Sequence, residues 1–573
     1  MIGVRNPIPG VVYRPAAESA YYVQQGVLTQ ETLVSAFADV VARHPDRIAI
    51  SEAGLTIHYR ALDDITDRVA AGLLRLGLKP LDRVVFQLAN TKELLFSYIA
   101  CLKAGLIPIC TLAAHRQHEI GYLARHAGAK AHFIDGENDK FDFVAFARAM
   151  RDEIPTMEHI VVMRPRAGLD KRDNVHAFED LSGDLDGAQA RAILAGVEHD
   201  PWQVAIFQLS GGTTGVPKII PRFHNEYIYS IRAMIRWSTI DETIVAFTPS
   251  PFMHNAPMIC YWGPALFSGG ENVVTPSLDP EIIGRLMAER KPNWICMPSV
   301  IYLRLKASGV LDRLSFDHVK ASTVPSGVPA IEKLTGAPAI PLFGMTEGLI
   351  CYGRVEDPRE ARETTVGWTV SEHDHLRLLK PGTEEDCAEG EIGELAVKGP
   401  CVIHGYFDAE ERNKEAFTSD MFYRSGDLCG FKTIEGRRFL TFEGRIKDVV
   451  SRGGEKINCM EVETASAGHP KIGSIAIVPM PDPAYDERAC AFIILRPGAE
   501  GISVAELGAF LERAGLAKFK WPERIEIVTD FPMTSSGKLS KPMLKEIIRE
   551  KLKQEAAAMS PAPESLVTHG IPA

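Results

Sequence analysis

The chain has 573 residues, 46% hydrophobic and 24% charged. These values exclude a wholly disordered chain and, at about 150 residues per domain, suggest three or four domain-sized units. Its 63 Lys and Arg against 74 Asp and Glu leave a net charge of −11, which excludes a general nucleic-acid binder, so any phosphate must be held by local donors against the overall field.

Strand-like and helix-like stretches alternate from the start. Residues 61–76 place Leu62, Ile65, Val69, Leu73 and Leu76 on one helical face. Residues 83–88 (RVVFQL) predict a buried strand, and 91–103 a second helix stopped by Gly105. Short strands are predicted over 131–134, 160–163, 204–209, 244–247, 272–275 and 294–297. The helix-length segments between them favour an α/β fold of layered sheets. The run GRIKDVVSRGGEK from Gly444 marks a boundary. Beyond it an α+β pattern has strands over 475–478 and 492–495, a capping box of Ser503 and Glu506 before a helix over 504–511, and a last helix lined by Leu544, Ile547, Ile548 and Leu552. The division expected is 1–446, 447–555 and a mobile tail over 556–573. No signal-peptide pattern or stretch of about 18 apolar residues occurs. The ten cysteines form no CxxC pair, which argues against a zinc ribbon or a redox motif and suits a reducing cytoplasm.

Ser210-Gly211-Gly212-Thr213-Thr214-Gly215-Val216-Pro217-Lys218 follows a predicted strand and precedes a helix containing Tyr227, Ile231 and Met234. Its glycines turn backbone amides inward, and its hydroxyls and lysine suit nucleotide phosphates. It lacks GK[ST], so it is no Walker A loop; the bland alternative is a surface loop. Phe343-Gly344-Met345-Thr346-Glu347-Gly348 offers a ring to stack on a base, a hydroxyl for a phosphate and a carboxylate for Mg²⁺. Tyr423-Arg424-Ser425-Gly426-Asp427 puts a carboxylate after a tight turn, where it could accept ribose hydroxyls, and Gly444-Arg445 adds a donor. Thr534-Ser535-Ser536-Gly537-Lys538 places a lysine on a glycine turn. Taken singly, these read equally as a core Phe, a turn Asp, a surface Arg and a solvated Lys.

In this order the segments resemble the adenylate-forming superfamily of acyl-CoA synthetases, luciferases and peptide-synthetase adenylation domains, over residues 29–553. LSGGTTGVPKIIPR from Leu209, the pair His254-Asn255, and SRGGEKI from Ser451 are most similar to stand-alone aryl-acid AMP ligases acting on 2,3-dihydroxybenzoate or salicylate. The resemblance implies a large multi-sheet N-terminal domain and a small, rotating α+β C-terminal domain. It implies activation of a carboxylic acid by MgATP to an acyl-adenylate, with release of pyrophosphate, then transfer to a thiol. In that scheme Lys538 bridges the carboxylate and the α-phosphate, Thr346 reaches the α-phosphate and Glu347 binds Mg²⁺. Ser210, Gly211, Gly212, Thr213, Thr214, Gly215 and Lys218 hold phosphates, and Gly327 joins the nucleotide contacts. Phe343 packs on adenine, and Asp427 and Arg445 hold ribose. Lys447 is the hinge, and Gly453-Gly454 lets a pantetheine arm pass.

The same resemblance puts His254 beside the substrate carboxylate and Asn255 on a ring 2-hydroxyl. This sequence departs from the dihydroxybenzoate pattern: Ala256 replaces an aromatic residue, Cys260 a serine and Ile350 a valine. A thiol is a weaker partner for a second hydroxyl, so a salicylate-like ring acid is expected, though Cys260 also reads as core packing. The acceptor is coenzyme A or the phosphopantetheine of a separate carrier protein, with Lys518, Lys520 and Arg524 the candidate basic patch for CoA. The setting is siderophore assembly or aromatic acid metabolism. The rival is an acyl-CoA synthetase for an alicyclic, unsubstituted aromatic or fatty acid.

Overall fold

The computed structural model describes residues 2–210, 217–325, 327–452, 455–483, 485–514, 516–534 and 539–559. It is α/β and falls into two compact units, one of residues up to 425 with 429–442, the other of 426–428 with 443 onward.

In the first unit a seven-stranded sheet runs Val175–Ala177, His159–Met163, Ala131–Asp135, Arg83–Gln87, Ile107–Ile109, Val204–Ser210, Lys218–Phe223. It is parallel until the final antiparallel hairpin. A nine-stranded sheet runs Trp368–Thr369, Ile350–Tyr352, Ala339–Gly344, Ala321–Val324, Trp294–Cys296, Val245–Phe247, Glu271–Val273, Ile48–Glu52, Leu55–His58. The parallel strands read as continuous apolar runs because helices cover both faces. One shared core joins Leu62, Val69 and Leu73 of the helix Tyr59–Arg75, Leu94 to Leu102 of the helix Lys92–Lys103, and Tyr227 to Met234 of the helix His224–Trp237 to residues of both sheets, Phe86 and Phe133 on one and Ile50 and Trp294 on the other. A four-stranded sheet orders His375–Leu379, Gly393–Lys398, Tyr423–Ile434 and Arg437–Arg445.

The second unit holds a five-stranded sheet in which Ile472–Asp482 and Asp486–Leu495 form a long hairpin, with Arg524–Ile527 pairing parallel to the latter. Among the described residues no helix is long and apolar enough to cross a membrane, and all ten cysteines are free, nine of them buried.

Four expectations change. The helix containing Tyr227 does not follow the glycine loop directly, because the strand Lys218–Phe223 intervenes. Asp427 lies inside the strand Tyr423–Ile434 rather than after a turn, with Gly426 at φ 71° absorbing the irregularity. Ser503 caps its helix by accepting from the Glu506 amide at 3.1 Å, but the Glu506 carboxylate is engaged by Lys471, so the capping box is half-formed. The last helix runs Lys541–Met559, past Glu555, with Leu544 and Ile548 buried but Ile547 45% exposed.

Candidate functional site

The glycine loop joins the two strands of a hairpin, and the register sets Ser210 opposite Lys218 across its base. Gly211, Gly212, Thr213, Thr214 and Gly215 lie outside the described residues, as do Gly453, Gly454 and Lys538. Lys447 falls in the turn Ile446–Asp448, its side chain not described.

Lys218 Nζ donates to the Tyr406 hydroxyl at 2.9 Å and lies 4.1 Å from that ring's centroid. Tyr406 in turn donates to Glu347 Oε1 at 2.7 Å and meets the Tyr423 hydroxyl at 2.9 Å. The lysine of one motif and the carboxylate of another are thus joined through one buried phenol. Burial first, and then the Glu347 charge, push both phenols above their ordinary range, so they stay protonated donors. Gly348 must be glycine, because at φ 135° a Cβ there would lie 2.0 Å from the Cys401 carbonyl oxygen.

Thr346 is tied in from another direction. Arg222 is buried on the last strand of the hairpin, and its guanidinium donates to the Thr346 carbonyl at 2.7 Å and pairs with Glu226 at 2.8 Å. Burial opposes the charge on both partners: on Arg222 the attraction, chiefly of Glu226, outweighs it and the pKa is raised, whereas on Glu226 burial wins over Arg222 and Arg14 and that pKa is raised too. The Arg222 guanidinium also lies 5.3 Å from the centroid of the Tyr227 ring.

Tyr227 leads to the second group of candidates. Its hydroxyl donates to Asn255 Oδ1 at 2.9 Å. Asn255 opens the short helix Asn255–Pro257, with half-buried His254 as its N-cap residue, and the helical path continues as a π turn over Met258–Trp262. Asn90 fixes the approach by bonding the Ser250 carbonyl and the Phe252 amide, each at 2.8 Å. Ala256 is half-buried. Cys260 is buried on the π turn, its carbonyl accepts from Trp294 Nε1 at 3.1 Å, and burial pushes its thiol well up. A thiol so held stays protonated and unreactive. Ile350 is buried and pairs with Gly344 at the end of the strand bearing Phe343. Phe343 packs on Phe442 with centroids 5.2 Å apart. Gly327, at φ 81°, caps the helix Val328–Thr335.

In the second unit Arg445 Nε donates to Asp427 Oδ1 at 3.0 Å, bringing the two expected ribose contacts together. The candidate CoA patch is largely neutralised: Lys520 pairs with Glu461, and Arg524 with Glu526 and Glu555. Only Lys518 of the three lacks such a pair among the described residues.

Residues 37–407 match the family model of the AMP-binding enzyme, and 461–538 that of the AMP-binding enzyme C-terminal domain. The chain belongs to the AMP-binding enzymes. As the motif order implied, it is an AMP-forming ligase of the adenylate-forming superfamily. It is 36% identical to a 2,3-dihydroxybenzoate-AMP ligase of Bacillus subtilis, with 93% of this chain and 96% of that one covered. It is 32% identical to a salicylyl-CoA synthase / salicylate adenylyltransferase of a Streptomyces species, covering 95% and 98%. Among solved structures the apo MbtA of Mycobacterium smegmatis superposes with a TM-score of 0.69 at 29% identity, covering 94% of this chain and 98% of that one.

Arg222, Tyr227, Tyr406 and Tyr423 were not singled out in the sequence for this site. Arg222 and Glu226, at i,i+4 across a strand-to-helix junction, left a local signal; Tyr406, separated from Glu347 by 59 positions, left none.

Proposed function

We propose that this AMP-binding enzyme activates a salicylate-like aromatic carboxylic acid with MgATP and then acylates a thiol. The observation that supports the reading is the line of contacts from Lys218 through the buried Tyr406 to Glu347, which joins the candidate phosphate cation to the candidate metal carboxylate. Arg222 adds Thr346 to the same cluster. The substrate carboxylate oxygen attacks the α-phosphorus, forming the acyl–phosphate bond while pyrophosphate leaves. The thiol then attacks the carbonyl carbon and AMP leaves. The first step brings anions together, so positioned cations matter most.

Lys218 and the glycine loop take the outer phosphates, Thr346 and Lys538 the α-phosphate. Phe343 and Gly327 take the base side, and Asp427 with Arg445 the ribose. Glu347 would hold Mg²⁺. One buried carboxylate fits an ion that keeps its waters and phosphate oxygens, and the described residues contain no cluster of three or more possible ligands that would form a dedicated cage. When bound, the ion neutralises phosphate charge. His254 borders the carboxylate, and Asn255 bonds the ortho-hydroxyl beside Ala256 and Ile350. Cys260 disfavours a second ring hydroxyl. The acceptor is CoA or a carrier phosphopantetheine, reached past Gly453-Gly454 with Lys447 as hinge. The free thiols support a cytoplasmic setting.

The test is acid-dependent ATP–pyrophosphate exchange with salicylate, 2,3-dihydroxybenzoate, benzoate, cyclohexanecarboxylate and a medium-chain fatty acid. Salicylate should lead. Equal rates on benzoate and salicylate would remove the ortho-hydroxyl argument, and exchange with the fatty acid alone would favour the acyl-CoA synthetase reading.

A further inference from the structure

The Asn255 side chain is held at one end of its amide by a buried phenol, that of Tyr227. The phenol of Tyr227 is fully buried, and burial raises it well above its ordinary range, so it carries its proton. Its hydroxyl accepts from Gln208 Nε2 at 3.4 Å and contacts Asn255 Oδ1 at 2.9 Å and Met258 Sδ at 3.0 Å. A hydroxyl has one proton to give. A thioether is a weak acceptor and an amide carbonyl a good one, so the proton goes to Asn255. Gln208 is itself buried on the strand Val204–Ser210, and its Nε2 also reaches Met258 Sδ at 3.6 Å, which keeps its donor end on this side. Among the described residues none accepts from Asn255 Nδ2.

We infer that Tyr227 is a specificity-determining positioning residue: by occupying Asn255 Oδ1 it presents the Nδ2 hydrogens to the substrate, so the enzyme selects aromatic acids whose ortho substituent is a hydrogen-bond acceptor and rejects those whose ortho substituent is a donor. This rests on the aryl-acid reading above and deepens it. In salicylate the ortho-hydroxyl proton closes a six-membered ring onto its own carboxylate, which leaves the oxygen's lone pairs outward, facing a donor. In 2-aminobenzoate one amine proton makes the same internal bond and the other points outward, towards the Asn255 amide hydrogens. Neither ring carries the discrimination by size, since hydroxyl and amine differ by one hydrogen. An amide whose two ends are interchangeable would serve both acids.

Pyrophosphate exchange by the full-length enzyme is measured for salicylate, 2-aminobenzoate and benzoate, with wild type, Tyr227→Phe and Asn255→Asp. Wild type should favour salicylate over 2-aminobenzoate in kcat/KM. Tyr227→Phe frees the amide to turn over, so that ratio should fall about tenfold or more, with 2-aminobenzoate rising relative to benzoate. Asn255→Asp, which offers only acceptors, should shift the ratio the same way without touching Tyr227. It decides the matter should Tyr227→Phe fail to fold by thermal melting. A Tyr227→Phe enzyme that loses all three acids in equal proportion has lost packing only, and this overturns the inference while leaving the aryl-acid reading standing. An unchanged ratio in Asn255→Asp does the same. Wild type without exchange on any of the three acids overturns both.

Discussion

The buried guanidinium of Arg222 holds the backbone carbonyl of Thr346 at 2.7 Å. A side chain from the hairpin that carries the glycine loop thereby fixes the main chain of the Thr-Glu motif 124 positions away. The same guanidinium is charge-balanced by Glu226 at 2.8 Å. That pair is worth most as an anchor and little as net stability, because taking two ions out of water costs nearly what their attraction returns.

Replacing Arg222 by Met should therefore destabilise, by about 3 kcal/mol, because buried Glu226 then keeps only the longer ion pair with Arg14 at 4.0 Å. Arg222→Met combined with Glu226→Gln should recover part of that loss in urea unfolding, since no bare charge remains. The double variant should still show a raised KM for MgATP, because the Thr346 carbonyl has lost its donor. Full recovery of KM would show that Arg222 serves the fold alone.

Tyr406→Phe removes the hydroxyl shared by Lys218 and Glu347. A hydrogen bond to a charged group contributes about 1.5–3 kcal/mol, and the buried Glu347 carboxylate would lose it. We expect a lower melting temperature and a KM for MgATP raised about tenfold, the equivalent of ~1.4 kcal/mol, with the acid's KM little changed. A change confined to the acid's KM would contradict this placement of Glu347.

Much of this arrangement was legible beforehand, and the gaps have physical causes. The 83–88 and 131–134 runs announced buried strands because helices cover both faces of their sheet. The strand Lys218–Phe223 was hidden by Pro221, which reads as a breaker. It is tolerated because this is the last strand in its sheet's order, where one side of the ladder needs no donor. Gly426 made the Asp427 segment look like a turn, whereas its positive φ is accommodated inside a strand. Ser503 and Glu506 match a capping box locally, and only Lys471, remote in sequence, diverts the carboxylate. The motifs gave the phosphate and pocket candidates. The phenols and the guanidinium that connect them are set by tertiary contacts with no local pattern.

Lys538 is expected to act in adenylation only. Lys538→Ala should lose acid-dependent pyrophosphate exchange by orders of magnitude, since the attacking carboxylate and the α-phosphate then meet without a bridging cation. The variant should still form thioester from supplied acyl-adenylate and a thiol, a step in which no phosphate is attacked. Parallel loss of both activities would contradict the assignment of Lys538 to the first half-reaction.

A pH dependence unrelated to catalysis should come from Asp374. Burial pushes its carboxyl up from 3.8 to about 7, against hydrogen bonds from Thr369 and Ser371 that favour the charged form. Its Oδ1 is shut off from water with no partner among the described residues. A carboxyl whose folded pKa lies above its unfolded value binds more protons in the native state, so stability is greatest below pH 3.8 as far as this group is concerned and declines as pH rises to about 7. Above that the native state carries a carboxylate with one oxygen shut off from water. Asp374→Asn, which cannot ionise, should stabilise the protein at pH 8 by roughly 1–3 kcal/mol and remove this group's share of the slope between pH 4 and 7. Urea midpoints of both proteins at pH 5 and pH 8 measure it: the wild-type midpoint should lie closer to the variant's at pH 5 and fall below it at pH 8. Parallel midpoints at the two pH values would mean that the carboxyl is hydrated enough to ionise at its ordinary pKa.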